Sequence, residues 1–301
     1  LLRRTKNTRQ MMAVLVFLPF FCSMAITNDV ALITFVPFAI TVLRMAEQEK
    51  LLIPVVALQT LAANLGSMLT PLGNPQNLYL YRLSGLRFSA FLTLMLPYVL
   101  LSGGALALLL VFRRRESLRF TPAEVRPGNA RGLLCCALGF VLCMLALAEL
   151  LPASAVAAVV LLFLLFADRS LLRSLDYSLL CTFLAFFVFI GNMERIEPFR
   201  LWLRSTLAGN ELPAAVLTSQ VISNVPAALL LSGFTSDWRA LIVGCNLGGL
   251  GTLIASMASL ISYKQLAGAY PALRTRYLLH FTLLSLLLLG ALYACAVLLD
   301  G

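Results

Sequence analysis

Two stretches of this chain carry the same interrupted pattern. Residues 63–82 (ANLGSMLTPLGNPQNLYLYR) align without a gap to residues 245–264 (CNLGGLGTLIASMASLISYK). The match pairs Asn64 with Asn246, Gly66 with Gly248, Thr70 with Thr252, Tyr81 with Tyr263 and Arg82 with Lys264. Upstream of each copy a polar tip interrupts apolar sequence: Thr27-Asn28-Asp29-Val30-Ala31 in the first half, Ser223-Asn224-Val225-Pro226-Ala227 in the second. Apolar segments broken by polar residues, Gly or Pro at corresponding places in two halves of a membrane protein point to a transporter's binding site near the bilayer midplane.

Composition places the chain in a membrane. Hydrophobic residues make up 60% of it and charged residues 12%, against roughly a quarter charged in a soluble domain; the mean hydropathy is +0.92. At about 20 residues per crossing, 301 residues hold roughly eight to ten apolar segments and leave no room for a separate soluble domain. The expected fold class is an all-α polytopic membrane protein of the cell (inner or plasma) membrane. A net charge of +10 reads as the Lys/Arg excess that orients membrane proteins rather than as a nucleic-acid surface. The seven cysteines (Cys22, Cys135, Cys136, Cys143, Cys181, Cys245, Cys295) lie in apolar runs without metal or redox spacing and read as packing residues. The lone histidine, His280, reads as a packing or helix-contact residue. The polar start, residues 3–10, runs straight into apolar sequence, so no cleavable signal peptide is expected.

Uninterrupted runs at 89–112, 132–149, 151–167, 176–193 and 277–299 are expected to cross the bilayer as ordinary helices. Residues 10–44 and 211–235 are each two short apolar arms joined at a polar tip, and are read as re-entrant hairpins, which need protein or a water-filled cavity around the tip. The repeated segments, 51–83 and 238–264, are then crossing helices that break in the middle. On this reading residues 1–9, 44–50, 113–131, 168–175 and 264–276 share one side and carry 17 of the 23 Lys/Arg, which makes that side cytoplasmic. Five crossings separate the hairpins, so the second enters from the opposite face and the halves form an inverted repeat. The first repeat is expected over 1–112, a cytoplasmic linker over 113–131 and the second repeat over 132–301. The first has no counterpart of the crossings at 132–193; its residues 1–10 match the amphipathic stretch 197–204 at best. A short family member and a chain lacking N-terminal helices both fit.

The breaks read as helix starts. Asn28 and Asn224 are N-cap residue types heading the second hairpin arms, Pro226 suits a first turn, and Asn74-Pro75 places a cap before a proline at the first helical position. Ser256 stands where Asn74 stands, and Ser259 where Asn77 stands. Four helix N-termini converging near the midplane would offer an anion free N–H groups and partial positive charge without an arginine. Freed carbonyls, with the side-chain oxygens of Thr27, Asn28, Ser223 and Asn224, suit a hard cation such as Na⁺. Asp29 is the only carboxylate placed near mid-membrane, because Glu149, Glu211 and Asp237 lie at span ends. An acid there costs on the order of 2.5 to 3.5 kcal/mol on insertion scales, so a role as cation ligand or proton carrier is the default; the alternative is a cap for its own helix. Its partner in the second half is Val225, so the two cation sites are expected to be unequal.

At these residues the chain resembles the ion transporter superfamily, which includes divalent-anion/sodium symporters, citrate-transporter-like permeases, arsenite efflux permeases and related sodium/proton antiporters. The symporters carry Ser-Asn-Thr at each hairpin tip and a Gly-Thr-Pro-Pro-Asn-type loop in each broken helix. Here the corresponding residues are Thr27-Asn28-Asp29, Ser223-Asn224-Val225, Gly73-Asn74-Pro75-Gln76-Asn77 and Ala255-Ser256-Met257-Ala258-Ser259. The run TNDVALI is closer to the arsenite and citrate-like branch. The resemblance implies an elevator-type secondary transporter. Substrate contacts are expected at Asn28, Asn224, Asn74, Ser256, Asn77 and Thr252, and cation contacts at Thr27, Asn28, Asp29, Gly73, Ser223, Asn224 and Ala255. Neither tip keeps the full Ser-Asn-Thr and the second loop lacks Pro-Pro.

The reading is a secondary transporter of a small anion, a carboxylate or an inorganic oxyanion, with Na⁺ or H⁺ as coupling ion and no cofactor. Arsenite or antimonite efflux and Na⁺/H⁺ antiport are the alternatives, centred on Asp29. No HExxH, no paired Gly-x-Ser-x-Gly and His, and no second mid-membrane aspartate supports an intramembrane enzyme. Paired hairpins from opposite faces suit alternating access better than a channel. The expected partners are the anionic substrate and the lipid bilayer, with a homodimer as candidate assembly and no nucleic acid.

Overall fold

A computed structural model describes residues 5, 7–117, 130–147, 150–167, 169, 172, 177–193 and 195–300. The linker at 118–129, most of 168–175 and Glu149 lie outside them. Among the described residues the chain is helical, and the β-pairing is one isolated bridge between Asn7 and Ser117. The helices are α1 (Thr8–Cys22), α2 (Asn28–Met45), α3 (Leu52–Ser67), α4 (Pro75–Ser84), α5 (Phe88–Val111), α6 (Ala130–Leu147), α7 (Ala153–Ala167), α8 (Tyr177–Met193), α9 (Glu197–Leu207), α10 (Glu211–Ile222), α11 (Asn224–Ser232), α12 (Trp238–Leu247), α13 (Met257–Ala269) and α14 (Arg274–Asp300). The chain separates into two compact units, residues 1–121 with 185–301, and residues 122–184. In the smaller unit α6 packs on α7.

In the larger unit each apolar run stops where the sequence is polar. The α1/α2 and α10/α11 hairpins turn at residues 23–27 and at Ser223, and the α3/α4 and α12/α13 helices break at 68–74 and 248–256. Among the described residues, four segments are long and apolar enough to cross a membrane: Asn28–Met45, Glu49–Ser67, Phe88–Val111 and Pro271–Leu299. The second arm of the first hairpin therefore has crossing length, which its reading as a short re-entrant arm did not anticipate. Residues 8–10 belong to α1, whose N-cap is Asn7; they are not part of a separate amphipathic helix like α9.

α3 sits at the centre. From Val55 to Ser67 every residue is buried, the polar Gln59, Thr60, Asn64 and Ser67 included, and α1, α2, α5, α13 and α14 pack around it. The same partners recur in the second half. α1 and α2 hold α3 as α10 and α11 hold α12, and the second piece of each broken helix crosses to the other half: α13 packs on α2 and α3, and α4 on α11 and α12. A local exchange marks the difference between halves. Pro19 inside α1 has no N–H for the Leu15 carbonyl one turn back, and Gln59 Nε2 of α3 donates to that carbonyl at 2.7 Å. In the second half Ala215 stands for Pro19 and Leu241 for Gln59, so neither the missing donor nor its substitute is there.

Polar contacts gather several charged segments at one end. Lys50 Nζ meets Glu116 Oε2 at 2.6 Å, and Thr8 donates its N–H to the Glu116 carbonyl. Tyr270 donates its hydroxyl to Glu49 and accepts from Arg44 Nε. These are members of four of the five segments that charge counting puts on one side. Large apolar side chains of α5 and α14, among them Leu100, Leu108, Leu279, Leu283 and Leu287, are exposed, a surface suited to lipid rather than water.

Candidate functional site

The two tips and two breaks come together through short side chains. Asn28 N–H donates to the Gly73 carbonyl at 3.0 Å, and Ser223 Oγ donates to the Ala255 carbonyl at 3.3 Å. Gly73 and Ala255 are aligned in the repeat, so each tip closes on the same point of the break in its own half. Thr70 Oγ1 donates to the Met24 carbonyl, and its counterpart Thr252 Oγ1 to the Gln220 carbonyl. Thr252, expected as a substrate contact, thus clamps a hairpin to a break.

The helix starts fall one residue away from some of the expected caps. Thr27 and Ser223, rather than Asn28 and Asn224, are the N-caps of α2 and α11. Thr27 Oγ1 accepts from Val30 N–H at 3.4 Å, which frees the Asn28 side chain for tertiary contacts. Asn74 precedes Pro75 at the start of α4 as expected, yet its amide goes to Ser67 Oγ at 2.7 Å and leaves the helix N–H groups uncapped. Ser223 and Ser256 likewise give no side-chain cap to α11 and α13. Three of the four converging helix starts therefore keep their first-turn N–H groups without a side-chain acceptor, the arrangement that draws anions. Ser223 is also held at φ 77°, a left-handed conformation that costs a non-glycine residue free energy. Thr27 at the first tip sits at φ −65°.

Two asparagines that the alignment paired, but that were not assigned to the site, connect it. Asn64 Oδ1 accepts from Asn28 Nδ2 at 2.8 Å and from Ser256 Oγ at 3.1 Å, and its Nδ2 donates to Ser259 Oγ at 3.2 Å. Asn246 Nδ2 donates to Asn77 Oδ1 at 2.6 Å. Since Ser259 and Asn77 are counterparts, each asparagine of a first helix piece reaches the same position on the second piece of the other half. Asn77 Nδ2 in turn donates to the Ser67 and Thr70 carbonyls across its own break. The signal was in the sequence: an asparagine inside an apolar run, repeated in register, is a buried polar group that needs partners. Gln220 was also missed. Its Nε2 donates to the Gly248 and Leu250 carbonyls, and its Oε1 accepts from Thr252 N–H.

Asp29 lies in the first turn of α2, half-buried. Its N–H donates to Asn28 Oδ1 at 2.9 Å, and among the described residues its carboxylate has no ion pair. The carboxylate is not the cap of its helix, since Thr27 fills that place.

The citrate transporter family model matches residues 1–236. The chain belongs to the citrate transporter family. It is 32% identical over 270 residues to an uncharacterized transporter of Methanocaldococcus jannaschii, covering 87% of this chain and 73% of that one. It is 31% identical over 285 residues to the inner membrane protein YbiR of Escherichia coli, covering 88% and 72%. With its apolar crossing helices, the protein is a multi-pass inner membrane transporter within the wider ion transporter superfamily.

Proposed function

We propose that the protein is a secondary active transporter of a small anion, a carboxylate or an inorganic oxyanion, coupled to Na⁺ or H⁺. The observation that carries this reading is the cluster of three uncapped helix starts, α4, α11 and α13, joined by neutral amides and hydroxyls. Such a site offers donors to an anion without a fixed cation that would hold it too tightly to release. Asn28, Asn224, Asn74, Asn77, Ser256 and Thr252 line or shape the anion site. Thr27, Asn28, Asp29, Gly73, Ser223, Asn224 and Ala255 supply oxygens to the coupling ion. The halves form an inverted repeat, and the bundle of hairpins and broken helices moves against a scaffold to expose the site alternately to the two sides. No cofactor and no catalytic step is needed; the matching partners of α3 and α12 support the repeat.

Asp29 favours a second reading, arsenite or antimonite efflux or cation/proton antiport, since its carboxylate has no partner among the described residues and is available to a proton or a cation. Uptake of labelled citrate, succinate, sulfate and arsenite into proteoliposomes, each under an imposed Na⁺ or pH gradient, separates the readings. Gradient-dependent accumulation of one anion is expected. Absence of accumulation for all of them, with cation flux present, would replace symport by antiport.

A further inference from the structure

The last turns of α14 line a cleft whose residues belong to neither tip and neither break. α14 is 27 residues long, about 40 Å at 1.5 Å per residue. Its last turns therefore stand a membrane thickness, headgroups included, from the Tyr270–Glu49 contact beside its first turn. There Glu211 at the start of α10, Asp237 and Arg239 at the start of α12, and Tyr293 of α14 line an open cleft of about 680 Å³. Opposite charges share it without neutralising each other: among the described residues none of the three forms an ion pair. Glu211 Oε1 accepts from Thr235 Oγ1, and Asp237 Oδ1 from the Ala240 N–H. Each carboxylate keeps a second oxygen, and Arg239 its guanidinium, for a ligand.

The cleft continues into an apolar groove of about 340 Å³ between α10 and α14, and Pro213 and Tyr293 line both. Pro213, Val216 and Leu217 form one wall, and Leu286, Gly290 and Tyr293 the other, at the spacings that put side chains on one face of a helix. From Tyr293 to Leu286 the groove runs about 10 Å away from the charges and toward the membrane interior. It is open over Gly290, where a methyl group would meet nothing within 4 Å, and Leu217 and Leu286 on its rims are exposed. Charges of both signs at headgroup depth, leading into an apolar slot at acyl-chain depth, match the interfacial end of a phospholipid. The charges also choose the headgroup. Two carboxylates repel an anionic lipid, and a choline headgroup has no N–H to give them, whereas a primary ammonium has three. Arg239 suits the phosphate, and Tyr293 stands at the boundary where tyrosines gather in membranes. We propose that cleft and groove together bind one phospholipid with a primary-amine headgroup of the ethanolamine kind. Such a lipid ties the first arm of the second hairpin to α14.

The test takes the purified full chain, stripped of lipid in detergent, and counts bound lipid by native mass spectrometry. The titrants are phosphatidylethanolamine, phosphatidylcholine and phosphatidylglycerol with the same acyl chains. One phosphatidylethanolamine per chain should reach half-occupancy at a concentration about fivefold or more below the other two, the scale of a charge-assisted hydrogen bond discounted for partial exposure. Glu211→Gln should erase the advantage over phosphatidylcholine, a selective loss that disturbed packing would not produce. Arg239→Gln should weaken all three lipids through the phosphate, and Gly290→Leu, which fills the groove, should weaken all three whatever the headgroup. Equal half-occupancy for the three lipids in the wild type overturns the proposal without any variant, as does a preference for phosphatidylglycerol. Unchanged binding in Gly290→Leu also overturns it. So does displacement of the lipid by an equal concentration of water-soluble glycerophosphoethanolamine, which would put a soluble ligand in the cleft.

Discussion

At the first tip Asn28 donates its amide to Asn64 and accepts from the Asp29 N–H, while its own N–H reaches the Gly73 carbonyl. At the second, among the described residues, Asn224 takes one 3.4 Å contact from Ser223, the preceding residue is strained, and Asn246 keeps an oxygen without a hydrogen-bond partner. The same asparagine, at corresponding places, is tied into the fold in one half and nearly untied in the other. A repeat of sequence thus yields one tip bonded into the fold through its asparagine and one held instead by Ser223 and Gln220, with little bonded to the asparagine itself. The same division runs through the helix packing, where the first half carries the Pro19 and Gln59 exchange that the second half lacks.

The largest expected effect tests the close packing of the first half. A methyl group on Gly66 would collide with the Phe20 carbonyl, a backbone atom, whereas one on Gly248 would meet the Ser219 side chain at 2.6 Å. Gly66→Ala should lower stability by about 3 kcal/mol or more, and Gly248→Ala by about 1 kcal/mol; melting of the two purified variants checks the ranking, and equal midpoints would erase the difference between halves. Next comes the tip itself. Asn28→Ala strips a donor from Asn64 and should cost about 1 to 3 kcal/mol, while Asn224→Ala should cost under about 0.5 kcal/mol, because little is bonded to it.

A smaller effect sharpens the contrast. Gln59→Leu should cost about 1 to 2 kcal/mol by leaving the Leu15 carbonyl without a donor. With Pro19→Ala in the same chain, the N–H that returns to α1 should recover most of that loss, so a double-mutant cycle should give a coupling of about 1 kcal/mol. Additive losses would mean Gln59 does not stand in for the missing N–H. Least in stability, though not in function, is Asp29→Asn. Its midpoint should stay within about 0.5 kcal/mol of wild type, while the dependence of transport on pH or Na⁺ disappears; a variant with the wild-type dependence would leave Asp29 without a role in coupling.

Much of this architecture was legible because the two strongest signals are local. Apolar runs set the helices, and Thr27-Asn28, Ser223-Asn224 and Gly73-Asn74-Pro75 marked where they stop. The in-register repeat supplied the correspondence of tips and breaks. What stayed hidden depended on which partner a short polar side chain chooses. Asn28 is a good N-cap by type, but Thr27 one residue earlier does that work and Asn28 turns to Asn64. Asn64, Asn246 and Gln220 were in plain view, yet whether an asparagine in an apolar run serves packing or a site is decided by long-range neighbours that no local pattern records. Gln59 and Pro19 likewise form a pair only once α1 lies against α3.

Binding of a small anion at the uncapped helix starts α4, α11 and α13 beside the second tip is the proposal on which the rest depends. Its most direct measurement is the melting of the purified protein with citrate, dicarboxylates, sulfate and arsenite, each with and without Na⁺, in the wild type and in Asn224→Ala. At least one anion should raise the wild-type midpoint, and the shift should vanish in Asn224→Ala although its ligand-free midpoint barely moves. A wild type indifferent to every anion, or an Asn224→Ala variant that responds as the wild type does, would contradict the account.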